Sequence, residues 1–195
     1  MPHVVVISGP NGAGKTTAAP ALLNEALHVS HFVNADTIAQ GLSAFAPEKA
    51  AIQAGRAMLQ RIHQLADDGE NFAFETTLAS RSFAPWIAGL KEKGYLFHLS
   101  FLRLDCADLG VSRVAERVRL GGHSVPEDTI RRRYHSGLKN FFSLYKDIAD
   151  SWQLYDNSKM GSLLMIASKM NNHFEVRDNN IWQQLVEGYD EATKK

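Results

Sequence analysis

The segment from Gly9 to Thr16 constrains the fold of this chain more than any other feature. It reads GPNGAGKT and matches the pattern G-x-x-x-x-G-K-[ST] at every fixed position. Such a loop requires a strand before it and a helix after it, and the sequence supplies both. The β-branched run from Val4 to Ile7 predicts a buried strand, and a helical pattern extends from Lys15 to Ala26. We therefore predict a strand, a phosphate-binding loop and a helix in direct succession.

The residues of this loop are suited to binding a nucleoside triphosphate and its metal ion. Glycines let several backbone N–H groups point inward, and the start of the following helix adds partial positive charge. Lys15 would contact the β- and γ-phosphates, and the hydroxyl of Thr16 would bind Mg²⁺. We predict ATP and Mg²⁺ as cofactors; the alternative is a glycine-rich turn with an exposed lysine. The predicted ATP-binding residues are Gly9, Pro10, Asn11, Gly12, Ala13, Gly14, Lys15, Thr16 and Thr17.

The rest of the chain alternates short apolar runs with helical patterns of ten or more residues. This alternation is typical of β-α-β units that close a parallel sheet. With 195 residues and 45% hydrophobic composition, the chain is long enough for one domain with a substantial core but short for two. We predict an α/β fold of three layers with a mostly parallel five-stranded sheet, as one domain over residues 1–195. Trp152, Tyr155, Trp182 and His98 are expected to have structural roles.

Charge and cysteine content narrow the classes of partner. Lysine plus arginine and aspartate plus glutamate both number 21, so no overall positive charge attracts nucleic acid or anionic lipid. The single Cys106 cannot form an internal disulfide, which fits a reducing compartment. No basic leader, long apolar stretch or cleavage site precedes the first strand. We expect a cytoplasmic protein that binds neither nucleic acid nor membrane.

A carboxylate follows the second predicted strand, which extends from His31 to Ala35. Ligands of open parallel sheets bind beyond the carboxyl ends of the strands, so Asp36 lies where chemistry is expected. There it could face the γ-phosphate and accept a proton from an attacking hydroxyl group. The alternative is that Asp36 caps a helix beginning at Thr37 or Ile38.

The third predicted strand, from Phe72 to Phe74, also ends in a carboxylate. Glu75 could bind substrate hydroxyl groups or a Mg²⁺-bound water, and Thr77 could donate to the substrate. A hydrolytic motor would carry a second acidic residue after Glu75, and Thr76 stands there instead. The alternative is a strand-end glutamate that accepts hydrogen bonds from backbone N–H groups.

An arginine-rich hairpin, at about residues 109–135, is the third notable feature. Its two helical patterns flank the glycines of Gly121-Gly122-His123, and guanidinium groups that close over a transferring phosphate would stabilise its charge. We call this segment the lid and expect only some of its arginines to reach the nucleotide. The alternative is a solvated basic face paired with nearby acidic residues. The arginines are Arg113, Arg117, Arg119, Arg131, Arg132 and Arg133.

These motifs together resemble the zeta toxin family. The similarity covers the phosphate loop, Asn34-Ala35-Asp36, Phe74 to Thr77, and the lid from Ala115 to Tyr134, and so most of the chain up to about Ser158. The resemblance implies a P-loop kinase fold and transfer of the ATP γ-phosphate to the 3′-hydroxyl of the amino sugar in UDP-N-acetylglucosamine. It also implies a small antitoxin protein as partner, although no feature of this chain identifies one.

The resemblance assigns roles to residues at matching positions. Asp36 corresponds to the catalytic base, and Lys15 and Thr16 to ligands of ATP and Mg²⁺. Glu75 and Thr77 correspond to substrate contacts, and Arg117 to a transition-state arginine. The predicted catalytic residues are Asp36, Lys15 and Arg117, and the predicted substrate-binding residues are Asp36, Arg56, Glu75, Thr77 and His123.

Two departures from the family pattern concern the substrate more than the kinase chemistry. The sugar-binding toxins carry a glutamate near the position of Leu59, and this chain has none there, although Arg56 lies one turn away. His123 occupies the position of the second lid arginine. The leading hypothesis is a phosphotransferase with an alcohol group as acceptor, such as a nucleotide sugar. The alternatives are a kinase of an antibiotic or other small metabolite, and a non-catalytic NTP-gated regulatory module.

Overall fold

A computed structural model describes residues 1–24, 29–171 and 173–193 of the protein. The predicted end of the first helix, Ala26, lies outside the described residues. The strands are β1 His3–Ser8, β2 His31–Val33, β3 Phe72–Thr76, β4 Leu96–Arg103, β5 Ser151–Asp156, β6 Leu164–Met170 and β7 His173–Val176. The helices are α1 Lys15–Asn24, α2 Ala35–Leu42, α3 Ala51–Asp67, α4 Phe83–Glu92, α5 Ala107–Arg119, α6 Glu127–Asn140, α7 Lys146–Ile148 and α8 Asn179–Thr193.

The strands form one mixed sheet in the order β2-β3-β1-β4-β5-β6-β7. The first five strands of the chain are parallel to one another, whereas β6 and β7 are antiparallel to their neighbours. The α/β fold is confirmed, but the predicted count of five strands is wrong because the sheet has seven. The prediction missed β7, whose side chains are exposed or half-buried and therefore form no apolar run.

One face of the sheet carries the larger core. Alternate residues of the central strands, such as Val4, Val6 and Leu99, point to this face and are buried beneath α3, α4 and α8. Trp152 of β5 is buried here and stacks on Trp182 of α8, with ring centroids 5.9 Å apart. The structural role predicted for these tryptophans is confirmed.

The opposite face is covered by α1 near the carboxyl ends of the strands. Ile7 and Leu102 pack there against the apolar residues of α1, which places a third layer on the sheet. Toward the amino ends this face is polar. His98 Nε2 lies 2.9 Å from His3 Nδ1, and His98 Nδ1 lies 2.6 Å from Ser151 Oγ, so His98 has the predicted structural role.

The ends of β2 and β3 differ from their predicted positions. β2 stops at Val33 because Asn34 begins a helix: its side-chain oxygen accepts hydrogen bonds from the backbone N–H groups of Asp36 and Thr37. β3 continues to Thr76, so Glu75 belongs to the strand itself. The Asn34 cap and the longer β3 determine where the side chains of Asp36 and Glu75 point at this edge of the sheet.

The second helix of the lid approaches β3 closely. Gly137 of α6 is buried, and a Cβ atom at this position would lie 2.5 Å from the carbonyl oxygen of Thr77. Asn140 of α6 donates hydrogen bonds to the carbonyl oxygens of Leu78 and Ala79. The base of the lid is therefore attached to the segment that follows β3. Among the described residues, no helix combines the length and apolar character needed to cross a membrane.

We predict that Gly137→Ala destabilises the protein by about 1–3 kcal/mol, because the added methyl group must displace the backbone at Thr77. Gly55→Ala in α3 is the matched control, since nothing beyond its chain neighbours and the backbone of its own helix lies within 4 Å of the added methyl group. That control should gain up to about 1 kcal/mol from helix propensity. Urea unfolding of both variants would measure the difference, and equal stabilities would contradict the proposed contact.

The histidine pair on the polar face predicts a loss of stability in acid. Burial and then the neighbouring His3 lower the pKa of His98 below its ordinary value of 6.5, while Asp150 opposes the shift. The unfolded chain therefore binds protons more readily, and stability present above pH 6.5 is lost as the pH falls below it.

Thermal unfolding between pH 7.5 and 5 would measure this effect. His98→Gln should reduce the pH dependence, and His173→Gln, on an exposed position of β7, should leave it unchanged. A pH dependence that His98→Gln leaves unaltered would show that the pair does not carry the effect.

Candidate functional site

The phosphate loop has the backbone geometry that its sequence predicts. Gly9, Gly12 and Gly14 have positive φ angles of 141°, 80° and 76°. A side chain at Gly9 would also overlap the carbonyl oxygen of Leu102 in β4. Glycine is therefore required there for both conformation and space. The loop passes directly into α1, whose first residue is Lys15.

Side chains from outside the loop hold its carbonyl groups. Arg113 of α5 donates to the carbonyl oxygen of Gly12 at 3.3 Å and to that of Asn157 at 2.8 Å. Asn157 in turn donates to the carbonyl oxygen of Ala13 at 2.8 Å. Because these carbonyl groups are bound from outside, the N–H groups of the loop remain directed toward a ligand. Arg113 therefore supports the loop.

Lys15 is buried at the centre of the site. Its Nζ donates to the carbonyl oxygen of Pro10 at 3.0 Å and lies 3.6 Å from Glu75 Oε1. Burial lowers the pKa of Lys15, and the carboxylates of Glu75 and Asp36 oppose this shift. Lys15 is thus a buried cation near two carboxylates, and its ammonium group could also contact the oxygens of a bound phosphate.

The Glu75 carboxylate connects three parts of the site. Its Oε2 accepts hydrogen bonds of 2.8 Å from Thr16 Oγ1 and from Asn34 Nδ2. Glu75 is therefore bound by side chains, and the alternative of a glutamate satisfied by backbone N–H groups is not observed.

The donor set of Thr16 and Glu75 fits Mg²⁺. A hydroxyl and a carboxylate oxygen lie together beside the phosphate loop, and Mg²⁺ prefers such oxygen ligands with the remainder from phosphate and water. No cluster of three or more His, Cys, Asp and Glu side chains that could hold a metal ion occurs in the described ranges. The residues present therefore fit a metal that is bound mainly through a nucleotide.

Asp36 lies in the first turn of α2 with its carboxylate partly exposed. The cap of this helix is Asn34, so the alternative role of Asp36 as the capping residue is wrong. Asp36 Oδ1 lies 3.5 Å from His123 Nε2, and Oδ2 lies 3.8 Å from Arg117 Nη1. Two side chains of the lid thus meet at the predicted base.

Arg117 and His123 form one unit within the lid. Arg117 Nη2 donates to the carbonyl oxygen of His123 at 3.1 Å and lies 3.3 Å from its Nε2. Gly122 allows the chain to pass this close to Arg117, since a Cβ atom at this position would lie 2.6 Å from Arg117 Cγ. Burial lowers the pKa of His123, the Asp36 carboxylate opposes that shift, and the positive charge of Arg117 adds to it. The neutral imidazole is favoured.

A cavity of about 190 Å³ brings together five of the predicted site residues, Asn11, Lys15, Asp36, Glu75 and Thr77. Lys15 lies at the phosphate loop, Asp36 lies on α2, Glu75 lies in β3 and Thr77 directly follows that strand. Arg133 of α6 faces the same space. The complete lining is Asn11, Lys15, Asn34, Ala35, Asp36, Met58, Glu75, Thr76, Thr77, Phe83 and Arg133.

Several predicted residues lie apart from this cavity. Arg56 is exposed on α3, and its neighbour Met58, about 200° further around the helix, lines the cavity instead. Thr17 is exposed in the first turn of α1. Two lid arginines form the surface ion pairs of the alternative interpretation: Arg119 pairs with Glu116, and Arg131 pairs with Glu127 and Asp108.

The sequence interpretation assigned no individual role to Asn34, Asn157 or Arg133. Asn34 and Asn157 each follow a parallel strand directly, and this position was itself the signal that could have identified them. Arg133 is one of three consecutive arginines, and sequence alone does not tell which of the three points inward.

Comparison with known sequences identifies the family. The sequence model of the Zeta toxin family matches residues 1–166. An uncharacterized protein of Haemophilus influenzae is 29% identical over 126 residues, which cover 65% of this chain and 88% of that protein.

Solved structures share the fold. A chain of the AvrRxo1-ORF1:-ORF2 complex with ATP matches with a TM-score of 0.77 at 15% identity over 95% of this chain, and the match spans 63% of that longer chain. A chain of the PezAT toxin-antitoxin system of Streptococcus pneumoniae matches with a TM-score of 0.63 at 14% identity, over 100% of this chain and 86% of that one. The three-layer P-loop kinase fold is confirmed, and this chain belongs to the Zeta toxin family.

Proposed function

We propose that this protein is a kinase that transfers the γ-phosphate of ATP to a hydroxyl group of a small molecule. The observation that carries the proposal is the convergence of Lys15, Asp36 and Glu75 on one cavity beside the phosphate loop. Lys15 supplies positive charge for the phosphates, and Asp36 supplies a carboxylate that a substrate can reach. Thr76 follows Glu75 in place of a second acidic residue, so the site lacks the usual group for activating a hydrolytic water.

The proposed reaction forms one bond and breaks one. The acceptor hydroxyl oxygen bonds to the γ-phosphorus, the bond from that phosphorus to the β,γ-bridging oxygen breaks, and ADP leaves. The hydroxyl proton passes to a carboxylate oxygen of Asp36. The backbone N–H of Asp36 is held at 2.7 Å by Asn34, so the base occupies a fixed position at the start of α2.

The remaining residues bind charge and position the reactants. Thr16 would be the direct protein ligand of Mg²⁺, which neutralises phosphate charge when bound, and Glu75 would orient its water ligands. Arg117 would stabilise charge on the transferring group, and His123 would contact the acceptor beside Asp36.

For the acceptor we propose a nucleotide sugar such as UDP-N-acetylglucosamine. Family membership supports this choice, and Thr77 and Glu75 lie at the cavity where they could bind sugar hydroxyl groups. Arg56 does not line the cavity, so we leave it out of the proposed substrate site. A small antitoxin protein is the proposed partner, because the solved relative from Streptococcus pneumoniae belongs to a toxin-antitoxin system. The cytoplasmic location stays a prediction.

The function can be tested by ATP turnover with a panel of nucleotide sugars and other small alcohols. The expected result is ADP release that depends on one acceptor, together with a gain of one phosphoryl group on that acceptor by mass spectrometry. Nucleotide binding without turnover on any acceptor would instead support a regulatory module.

We predict that Asp36→Asn lowers turnover by about 10²-fold or more, because the amide cannot accept the acceptor's proton. ATP affinity should change little, since Asp36 lies beside the transferring group and outside the phosphate loop. Asp147→Asn, an exposed aspartate of α7, is the control for a general effect of lost charge. Steady-state kinetics and calorimetry would measure both properties; near-normal turnover would exclude Asp36 as the base.

We predict that Lys15→Ala weakens ATP binding by about tenfold or more and abolishes transfer, because the phosphates lose their buried cation. Lys49→Ala, on the surface before α3, should bind ATP as the wild type does. Fluorescence titration with a labelled ATP analogue would compare the two, and full activity in Lys15→Ala would contradict the phosphate-loop assignment.

A further inference from the structure

A second cavity, of about 490 Å³, lies toward the opposite end of the sheet from the phosphate loop. It opens between α1 and the first residues of β4 and β5, on the face that α1 covers only in part. Its floor carries the side chains of His98, Ser100, Ser151 and Gln153, and we call it the polar cavity. Small-molecule sites commonly have volumes of about 300–1,000 Å³. The described lining of the polar cavity shares no residue with the proposed kinase site.

The polar floor departs from the usual pattern of a parallel sheet. Parallel strands are normally covered on both faces and carry apolar side chains on both. In β4 and β5 the face toward the larger core is apolar, whereas the residues that alternate with it are polar. His98 lies opposite Ser151, and Ser100 lies opposite Gln153, so the four side chains form one compact group. Packing against another layer of the fold therefore does not explain these residue types.

Gln153 offers the polar cavity a donor that the protein does not use. Its side-chain oxygen accepts a hydrogen bond of 3.5 Å from Ser100 Oγ, which orients the amide. Its Nε2 makes no hydrogen bond to any residue that the structure describes. The oxygen keeps a second lone pair, so the amide can donate and accept side by side. A ligand that pairs with Gln153 must therefore present an acceptor next to a donor.

The lining of the polar cavity carries no unpaired charge. Among the described residues that line it, Asp150 is the one with a full charge. Its Oδ1 lies 2.9 Å from Lys91 Nζ, and its Oδ2 accepts a hydrogen bond from the backbone N–H of Phe97 at 2.8 Å. His98 is bound through both ring nitrogens, and burial lowers its pKa, so its imidazole is neutral. These surroundings favour an uncharged ligand, because a phosphate group would meet no lysine or arginine there.

The walls of the polar cavity are apolar. Leu22 of α1, Met170 at the end of β6 and Val5 of β1 contribute this surface. A methionine sulfur packs favourably against an aromatic ring. Apolar walls around a few polar groups suit a flat ring with a polar edge. A sugar or polyol would leave the apolar walls unmatched.

We propose that the polar cavity is a second ligand site, which binds the adenine base of an uncharged nucleoside. Adenine presents N7 as an acceptor beside its N6 amino group as a donor, and a glutamine amide pairs with both at once. In the proposed complex, Gln153 Nε2 donates to N7 and Gln153 Oε1 accepts from N6. This site goes beyond the proposed kinase function and does not depend on it, because the two sites are built from different residues.

Equilibrium dialysis with labelled adenosine tests the proposal. The protein is first saturated with Mg²⁺ and the non-hydrolysable ATP analogue AMP-PNP, so that the phosphate-loop site is filled. We expect a single adenosine to bind per chain with a Kd on the order of 0.1 mM, which a ligand of this size reaches with ordinary efficiency. Inosine carries an oxygen in place of the N6 amino group. It should bind about tenfold more weakly, because that oxygen would face Gln153 Oε1.

Two variants locate the binding. Gln153→Met keeps the length of the side chain but removes its polar atoms, so it should weaken adenosine binding by about tenfold or more. Gln60→Met, exposed on α3 beyond the opposite face of the sheet, is the matched control and should bind adenosine as the wild type does. Both should keep the wild-type affinity for AMP-PNP. If thermal unfolding shows that Gln153→Met does not fold, Ala21→Trp replaces it. Ala21 is exposed on α1 and lines the polar cavity, so the tryptophan should fill the space and abolish binding.

Three results would overturn the proposal. A wild-type protein that binds no adenosine would show that the polar cavity is not a site for this class of ligand. Equal affinities for adenosine and inosine would mean that Gln153 does not pair with the base. Wild-type affinity in Gln153→Met or Ala21→Trp would place the bound adenosine elsewhere. Failure of the wild type to bind AMP-PNP would instead count against the proposed kinase function alone.

Discussion

The site depends on one shared acceptor, the carboxylate of Glu75. Its Oε2 binds the hydroxyl of Thr16 at the start of α1 and the amide of Asn34 at the end of β2, each at 2.8 Å. Asn34 in turn holds the backbone N–H of Asp36. The phosphate loop, the end of β3 and the proposed base are therefore joined by a continuous series of hydrogen bonds. Such a network fixes relative positions better than its separate bonds would.

The lid uses its arginines for three different purposes. Arg113 supports the outer side of the phosphate loop, and Arg117 reaches Asp36. Arg131 joins the two lid helices through Asp108 of α5 and also pairs with Glu127 within α6. The number of arginines in the lid is therefore larger than the number that can contact a ligand. Support and recognition are divided among residues only a few positions apart, because successive helical residues point in different directions.

The sequence predicted those parts of the fold and site that rest on local patterns. The loop, its helix and the strand-end carboxylates were found because glycine spacing and β-branched runs are local signals. The second half of the sheet was less well predicted, since β7 is short and polar and forms only by pairing with β6. The sequence left capping by Asp36 as an alternative to its role as base, and the cap is Asn34 instead, because both residue types favour that position and only the backbone distinguishes them.

Contacts between residues far apart in the sequence could not be predicted from local patterns. Asn157 holds Ala13 across 144 positions of the chain, and Arg133 faces a cavity whose other walls come from the phosphate loop, β3 and helices α1 to α4. Helical periodicity constrains which of Arg131, Arg132 and Arg133 share a face but not which face meets the sheet. That choice is made by the packing of Gly137 on Thr77 and the hydrogen bonds of Tyr134.

The double role of Asn34 restricts what residue this position can accept. Its side-chain nitrogen donates to Glu75, and its side-chain oxygen accepts hydrogen bonds from two backbone N–H groups of α2. A side chain at this position must therefore have the length that reaches both partners. Aspartate would place a second negative charge against Glu75, serine would fall short, and glutamine would overreach. The asparagine carboxamide is thus a neutral group that can make both sets of hydrogen bonds. Replacing it would break the connection between Thr16 and Glu75, which would hold the metal ion, and Asp36, the proposed base.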